Sequence, residues 1–353
     1  MLAKRILYYK LRVLLVISFI WVLFGFVFVY NILEIEKHLL NNRSLILFSV
    51  AFAIVGFTIS AALIFYLKDA FRTYPLWLAV LLKLAIAFLL FILIAFTLLA
   101  FYFVFSYHGS LERFGQGFFR DVFFTRAFMV FMIDMGMLSF VSIILLEVTD
   151  KYGPGGFWRM LRGEYNKPRV ENRIFVFLDI NNATSIAEKL GHEKYFLLLR
   201  DFFADITNPV IANGGEIYQY VGDEVVISWP TSSVTKIYCL KFIRHAFYIL
   251  KRKEKKYLDR YGLAPDFKAG IHAGEITAGF IGIIKKDLVY SGDTLNTAAR
   301  IRSMCHSLNE SFVLSASFMH DFPPPFSYHI SEIGEMELKG RTEREKLYGL
   351  SFD

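Results

Sequence analysis

Cysteine is almost missing: Cys239 and Cys305 are the only two in 353 residues. Two thiols in the second half cannot build a disulfide framework, and they fit a reducing compartment. Histidine is missing from every long apolar run, which removes the usual axial ligand of a haem-carrying membrane domain. Charge is scarce up to about Glu147, so that half is not an ordinary soluble domain. No small-residue cleavage site follows the first apolar run, which is also too long for a cleavable signal. Acidic residues fall short of basic ones, 32 against 39, for a formal net charge of +7. That balance raises nucleic acid as a partner. The basic residues, however, crowd the flanks of apolar segments, a placement explained by membrane orientation and not by nucleic-acid binding.

Four apolar runs are present: Val13–Leu33, Leu45–Leu67, Trp77–Tyr107 and Ala127–Val148. Each reaches the ~20 helical residues that cross a bilayer. The third is overlong, so it tilts or emerges as an aromatic-rich tail around Phe101–Tyr107. Lys4, Arg5, Lys10 and Arg12 precede the first run, Lys68 and Arg72 separate the second from the third, and Lys151, Arg159, Arg162, Lys167 and Arg169 follow the fourth. The other two loops carry Lys37, Arg43, Arg113, Arg120 and Arg126, partly balanced by Glu34, Glu36, Glu112 and Asp121. The bias predicts a multi-pass protein of the inner (plasma) membrane with both termini cytoplasmic. Residues 1–149 thus read as an all-α, four-helix transmembrane anchor with a sensor role left open. Lys83 and Asp134 are the ionisable residues well inside the runs, and such charges are functional candidates. Lys83 lies near the inner end of its span, from where it can snorkel to the interface; Asp134 is expected to act as a helix-packing hydrogen-bond partner.

Residues 150–170 read as a linker. Lys151-Tyr152-Gly153-Pro154-Gly155-Gly156 breaks the fourth helix. The following Phe157–Arg162 is amphipathic, suited to lie on headgroups or to pair with its twin in a dimer. From residue 171 to 353 strands and helices alternate. Strands are expected at Ile174–Leu178, Glu216–Tyr220, Glu224–Trp229, Phe267–His272, Glu275–Ile283, Ser311–Ser315 and Lys346–Phe352. Helices are expected at Ser185–Asp205, with Thr184 as N-cap, at Val234–Tyr261 and at Thr294–Cys305. The pattern is α+β around one mainly antiparallel sheet.

Three elements carry chemistry. Asp179 ends a buried apolar strand, and Asp223 sits at a hairpin tip in Val221-Gly222-Asp223-Glu224. If those strands are neighbours, two carboxylates meet at one spot, a donor set suited to Mg²⁺ or Mn²⁺ beside a triphosphate. Taken singly, Asp179 also reads as a helix cap and Asp223 as a turn residue. The third element is Gly292-Asp293-Thr294-Leu295-Asn296-Thr297-Ala298-Ala299-Arg300. Asn296 and Arg300 are four apart and share a helix face, where a guanidinium can stabilise charge growing on a phosphoryl group; a plain surface arginine is the alternative.

With Phe177-Leu178-Asp179-Ile180…Thr184, Tyr220-Val221-Gly222-Asp223-Glu224 and Gly270-Ile271-His272-Ala273-Gly274-Glu275…Gly279 in the same order and spacing, the segment from Arg173 to Phe352 resembles the class III adenylyl/guanylyl cyclase catalytic domain. The resemblance implies a ferredoxin-like α+β domain that makes 3′,5′-cyclic AMP and pyrophosphate from ATP, with two Mg²⁺ or Mn²⁺ ions. It implies that Asp179 and Asp223 hold the metals with help from the Ile180 carbonyl. The amides from Asn181 to Thr184 would cradle phosphates, Asn296 would orient the ribose, Arg300 would stabilise the transition state, and Lys339 would hold the terminal phosphate. It further implies a homodimer whose two equivalent sites are shared between chains.

The family's adenine-selecting positions, a lysine and an aspartate or threonine, are occupied here by Gln219 and Val289. The guanylyl type's glutamate and cysteine are absent there too. A glutamine amide still offers a donor and an acceptor to a purine edge. The expected partners are ATP, with GTP as the alternative, a second copy of the chain and a lipid bilayer, with no nucleic acid. A catalytically silent receptor is the further alternative. A diguanylate cyclase is disfavoured because the chain has no Gly-Gly-Asp-Glu-Phe hairpin.

Overall fold

The computed structural model describes residues 2–35, 42–67, 70–71, 74–107, 110–152, 156–284, 286–322, 328–338 and 344–352. The chain divides into two compact units, residues 7–151 and residues 1–6 with 152–353.

The first unit is helical: α1 (Leu2–Ile35), α2 (Asn42–Ala62), α3 (Leu76–Tyr107), α4 (Leu111–Gly117) and α5 (Arg126–Tyr152). Four stretches, Leu7–Phe28, Ser49–Leu67, Leu76–Phe105 and Phe128–Thr149, are long and apolar enough to cross a membrane. Large apolar side chains such as Leu15, Leu89 and Ile133 face outward, an arrangement that suits hydrocarbon. Between α3 and α5 the loop expected from its charges is instead α4, N-capped by Ser110 and continued by a π-helical turn at Phe118–Phe123. Phe114 and Phe118 from this segment pack on Phe96, with ring centroids 5.3 and 5.0 Å away, so aromatic burial overrides the loop-like charge pattern.

Lys83 does not snorkel. It is buried, and its Nζ lies 2.7 Å from Glu147 Oε1, joining α3 to α5. An unpaired ammonium deep in a span costs about 2.5–3.5 kcal/mol on insertion scales; the carboxylate at hydrogen-bond distance makes burial tolerable. Asp134 is half-buried and has no hydrogen-bond or ion-pair partner among the described residues, so the packing role expected for it is not seen. Trp21 fills a related role, its Nε1 donating to Ser142 Oγ at 2.9 Å between α1 and α5.

In the second unit, α6 (Gly156–Leu161) leads into β1 (Arg169–Ile180), α7 (Ala183–Leu190), α8 (His192–Ala212), β2 (Glu216–Val221), β3 (Glu224–Pro230), α9 (Ser233–Arg252), α10 (Glu254–Tyr261), β4 (Phe267–Ile281), β5 (Asp287–Ser291), α11 (Asp293–Met304), β6 (Phe312–Ser315), α12 (Ala316–Met319), β7 (His329–Glu337) and β8 (Arg344–Ser351). The sheet runs β2-β3-β1-β4-β6-β8-β7, with β5 pairing β4. All pairings are antiparallel except β4 with β6. Helices against a mainly antiparallel sheet match the α+β expectation.

Residues 173–180 of β1 are buried throughout, because both faces of the central strand are covered. Period-two alternation sends Ile174, Val176, Leu178 and Ile180 into a core with Leu198 and Phe202 of α8 and Leu240 and Ile243 of α9. Phe175 and Phe177 point the other way, into a cluster with Tyr290 of β5 and Ala298 of α11. By that alternation Asp179 falls on the α11 face. Gly270 of β4 lets α11 approach so closely that a Cβ there would lie 2.3 Å from the Arg302 backbone nitrogen.

Several boundaries differ from expectation. The helix expected at Ser185–Asp205 is two helices broken at Gly191 (φ +74°), and the long one at Val234–Tyr261 is interrupted at Lys253. The helix after β1 starts at Ala183 from Asn182 (φ +55°), with no side-chain cap; Thr184 lies exposed inside its first turn and is not the N-cap. The two strands expected around Gly274 are the single β4. Gly274 looks like a breaker, but here it leaves room for Thr294, whose Oγ1 would sit 2.7 Å from an added Cβ. The linker helix α6 ties itself to its own sheet: Arg159 Nη1 contacts Glu216 Oε1 at 2.6 Å.

Candidate active site

Hydrogen-bond register builds the site. Antiparallel pairing of β1 with β3 sets Asp179 directly opposite Glu224, and Asp223 precedes Glu224 in the two-residue turn. Gly222 adopts φ +62° there, a left-handed conformation that glycine bears without penalty. The neighbouring-strand condition for Asp179 and Asp223 to meet is satisfied.

The electrostatics agree. Burial pushes the Asp179 carboxyl up to about 6; Arg302 and Lys268 pull it back, while the neighbouring Asp223 carboxylate adds to the rise. Asp179 Oδ1 is buried and lacks a hydrogen-bond partner among the described residues. Burial also lifts Glu224 above the ordinary carboxylate range, with Asp223 adding to the rise and Arg302 opposing it. Tyr195 of α8, which the sequence did not single out, senses both aspartates: burial first, then Asp223 and Asp179, push its phenol up to about 12.

Of the four amides expected to cradle phosphates, one is already engaged. The Asn181 amide already donates to Asp266 O at 2.9 Å, so it belongs to the fold; Asn182, Ala183 and Thr184 remain at the start of α7. Ile180 is buried at the end of β1, with its backbone beside Asp179.

Gln219 of β2 and Val289 of β5 adjoin one aromatic contact. Tyr218 and Tyr290 rings lie 4.7 Å apart, and the Tyr290 amide donates to Tyr218 Oη at 3.2 Å. Gln219 is exposed and Val289 half-buried. Beneath them lies Arg173, 1% exposed, whose Nη2 reaches Glu216 Oε2 at 2.7 Å and Ser228 Oγ at 3.0 Å. Its guanidinium carbon stacks 4.8 Å from the Tyr290 ring centroid. This buried cation joins β1, β2, β3 and β5, and so holds together the strands that carry Gln219 and Val289. Its charge is compensated by Glu171 at Nη1 and Glu216 at Nη2, as a buried guanidinium requires.

On α11, Thr294, Thr297, Ala298 and Ile301 face inward. Asn296 is exposed and the Arg300 side chain 30% exposed, its nearest acid being Asp293 Oδ1 at 3.9 Å. Arg302 follows by two residues, about 200° around the helix. Its Nη1 donates to Asp179 Oδ2 at 3.0 Å and its Nη2 lies 2.6 Å from Glu224 Oε2. Within one chain, therefore, Asp179, Asp223, Glu224 and Arg302 come together, while Asn296 and Arg300 turn elsewhere. Lys339 lies outside the described residues.

Among the described residues no three carboxylate, imidazole or thiolate side chains are placed to hold one metal ion together. A pair of carboxylates with a main-chain carbonyl is nonetheless the protein share of a Mg²⁺ site whose remaining ligands are water and substrate phosphates.

The chain is similar to known proteins in sequence and in fold. The chain is 34% identical over 210 residues to adenylate cyclase 2 of Rhizobium meliloti (strain 1021), covering 59% of this chain and 58% of that protein. It is 27% identical over 178 residues to adenylate cyclase 1 of the same organism, covering 49% of this chain and 26% of that one. The matches thus span little more than half of the first relative's length and a quarter of the second's. In fold it is similar to a bacterial light-regulated adenylyl cyclase, with a TM-score of 0.51 and 21% identity over 61% of this chain and 64% of that one. The sheet order, the opposed acids and the helix after β5 accompany a family-model match across residues 165–351, and the chain belongs to the class III family described by the adenylate and guanylate cyclase catalytic domain.

Proposed function

We propose that the chain converts ATP into 3′,5′-cyclic AMP and pyrophosphate at two equivalent sites, each shared between two copies of the chain on the cytoplasmic face of a membrane. The observation that carries the shared site is the division of labour on α11. Arg302 turns to its own chain's Asp179, whereas Asn296 and Arg300 lie toward the opposite flank and away from it. A second copy related by a two-fold axis supplies them, and the symmetry returns the favour.

In this reading the ribose 3′ oxygen attacks the α-phosphorus, its proton passes to water, the bond from the α-phosphorus to the bridging oxygen of the β-phosphate breaks, and pyrophosphate departs. Asp179 and Asp223, with the Ile180 carbonyl, would hold two Mg²⁺ or Mn²⁺ ions; the buried Asp179 Oδ1, without a hydrogen-bond partner among the described residues, and the all-oxygen donor set fit that role. Such ions, when bound, lower the pKa of the attacking hydroxyl and offset charge on the phosphates. Ala183 and Thr184, at the start of α7, offer backbone amides to the phosphates. Asn296 orients the ribose, Arg300 stabilises charge on the α-phosphoryl oxygens, and Lys339 holds the terminal phosphate. Gln219 presents its amide to the purine edge, and Val289 packs beside it. Neither is ionisable, so base choice rests on hydrogen bonding and shape.

The four apolar helices form a multi-pass anchor, with the basic flanks holding both termini in the cytoplasm. The test is full-length protein in membranes given ATP or GTP with Mn²⁺, with cyclic products resolved by mass. Cyclic AMP alone supports the proposal. Cyclic GMP makes the chain a guanylate cyclase, and no product from either nucleotide makes it a silent receptor.

A further inference from the structure

Arg302 is a cation placed inside a proposed cation site. Its guanidinium bridges two acids that face each other across β1 and β3, at 3.0 Å from Asp179 Oδ2 and 2.6 Å from Glu224 Oε2. Asp179 and Glu224 are each 8% exposed, so their charges are poorly solvated and need compensation in the metal-free protein. Only one Asp179 oxygen is used by the arginine; the other, Oδ1, is buried without a hydrogen-bond partner among the described residues. The arginine is also fixed from behind. Its backbone packs closely against β4 at Gly270, where a Cβ would lie 2.3 Å from its nitrogen, so the guanidinium is presented from a tightly packed helix face.

We infer that Arg302 is a built-in counter-cation that competes with the divalent metal for Asp179 and thereby sets the metal affinity of the site. This rests on the reading of Asp179 and Asp223 as metal ligands. Empty, the site is held together by the guanidinium. Loaded, Asp179 is shared with a dication, like-charge repulsion weakens the contact, and Arg302 keeps Glu224 as its partner. Arg302 therefore acts as a positioning residue: it holds the acid and touches neither substrate nor the reacting atoms. Because the same helix presents Asn296 and Arg300 from another flank, metal loading in one half biases the helix that serves the other. By linkage the effect is reciprocal.

The experiment measures Mn²⁺ binding to the full chain in detergent at pH 8.5, without nucleotide, from the loss of the free Mn²⁺ electron-paramagnetic-resonance signal. Wild type is compared with Arg302→Gln, Arg302→Lys and Asp179→Asn. A unit charge about 5 Å from a dication is worth on the order of tenfold in affinity even at a water-like dielectric constant. Arg302→Gln should therefore bind Mn²⁺ about tenfold more tightly, and Arg302→Lys, which keeps the charge, should stay within about twofold of wild type. The metal-free glutamine variant should also unfold at lower temperature, with the gap closing when Mn²⁺ is added, because the metal then supplies the missing positive charge. Equal or weaker Mn²⁺ binding by a folded Arg302→Gln overturns the inference. If wild type binds no more Mn²⁺ than Asp179→Asn, the metal site itself is refuted, and the competition falls with it.

Discussion

Replacing Asp179 with asparagine should abolish turnover and make the metal-free catalytic unit more stable. Asp179 is 8% exposed, and burial is the main reason its carboxyl titrates at about 6 in place of the ordinary 3.8. That rise of about two units makes the charged form cost about 3 kcal/mol in the folded state relative to the unfolded chain. A raised carboxyl pKa favours the protonated folded form, so its stabilising contribution is complete below about pH 4. It is lost as pH rises through about 6. Asparagine keeps the shape and is neutral at every pH, while an oxygen remains to accept from Arg302. At pH 8 in EDTA the variant should gain roughly 1–3 kcal/mol, or several degrees in melting temperature for a domain of this size. At pH 4 the difference should shrink toward zero. The assay is unmasking of Cys239 and Cys305 during heating to a dipyridyl disulfide, which its own protonation keeps reactive toward thiols at pH 4 as well as at pH 8. Both thiols are buried in the catalytic unit, so they report that unit's unfolding inside the full chain. A variant that melts lower at pH 8, or by the same margin at pH 4 and pH 8, refutes the reasoning.

Arg300→Ala should lower kcat by roughly 10²–10³, the scale of one transition-state donor, with Mn²⁺ binding unchanged; near-wild-type turnover would remove the role given to it. Gly270→Ala should destabilise the catalytic unit by roughly 1–3 kcal/mol, because the added carbon meets backbone in α11 and not a movable side chain; thiol unmasking at the wild-type temperature would contradict the packing described. Glu147→Gln should remove the charge-assisted contact at the buried Lys83 ammonium and lower stability, and the double variant Lys83→Met with Glu147→Gln should recover part of the loss. Equal stability of the single and double variants, measured by detergent melting, would show that the pair carries no coupling.

The sheet was legible because continuous runs of β-branched and aromatic residues fill β1 and β3, and because Gly222 marks the turn that sets Asp223 beside Asp179. β7 went unread: His329–Glu337 interleaves charges with small and apolar residues on a sheet edge, so solvent on one side blurs its period. Gly274 was misread since glycine as breaker and glycine as packing gap look alike in sequence, and only the position of Thr294 separates them. Lys83 read as a lone intramembrane charge because its partner, Glu147, stands 64 residues away at the far end of another helix. In the site, Asp179, Asp223, Asn296 and Arg300 stood out by residue type and spacing. Arg302 did not, although the 200° between it and Arg300 follows from helix geometry alone. What the sequence could not supply was the knowledge that β1 ends under that flank of α11. Tyr195 lacked even that signal, since an aromatic on an amphipathic helix is ordinarily core.

The most direct test of the shared site mixes two inactive chains, Asp223→Asn and Arg300→Ala, co-expressed in one membrane and supplied with ATP and Mn²⁺. In a heterodimer one site inherits both lesions and the other inherits neither, so random pairing should restore about a quarter of wild-type cyclic AMP formation. Persistent inactivity in confirmed heterodimers would contradict a site built from two chains.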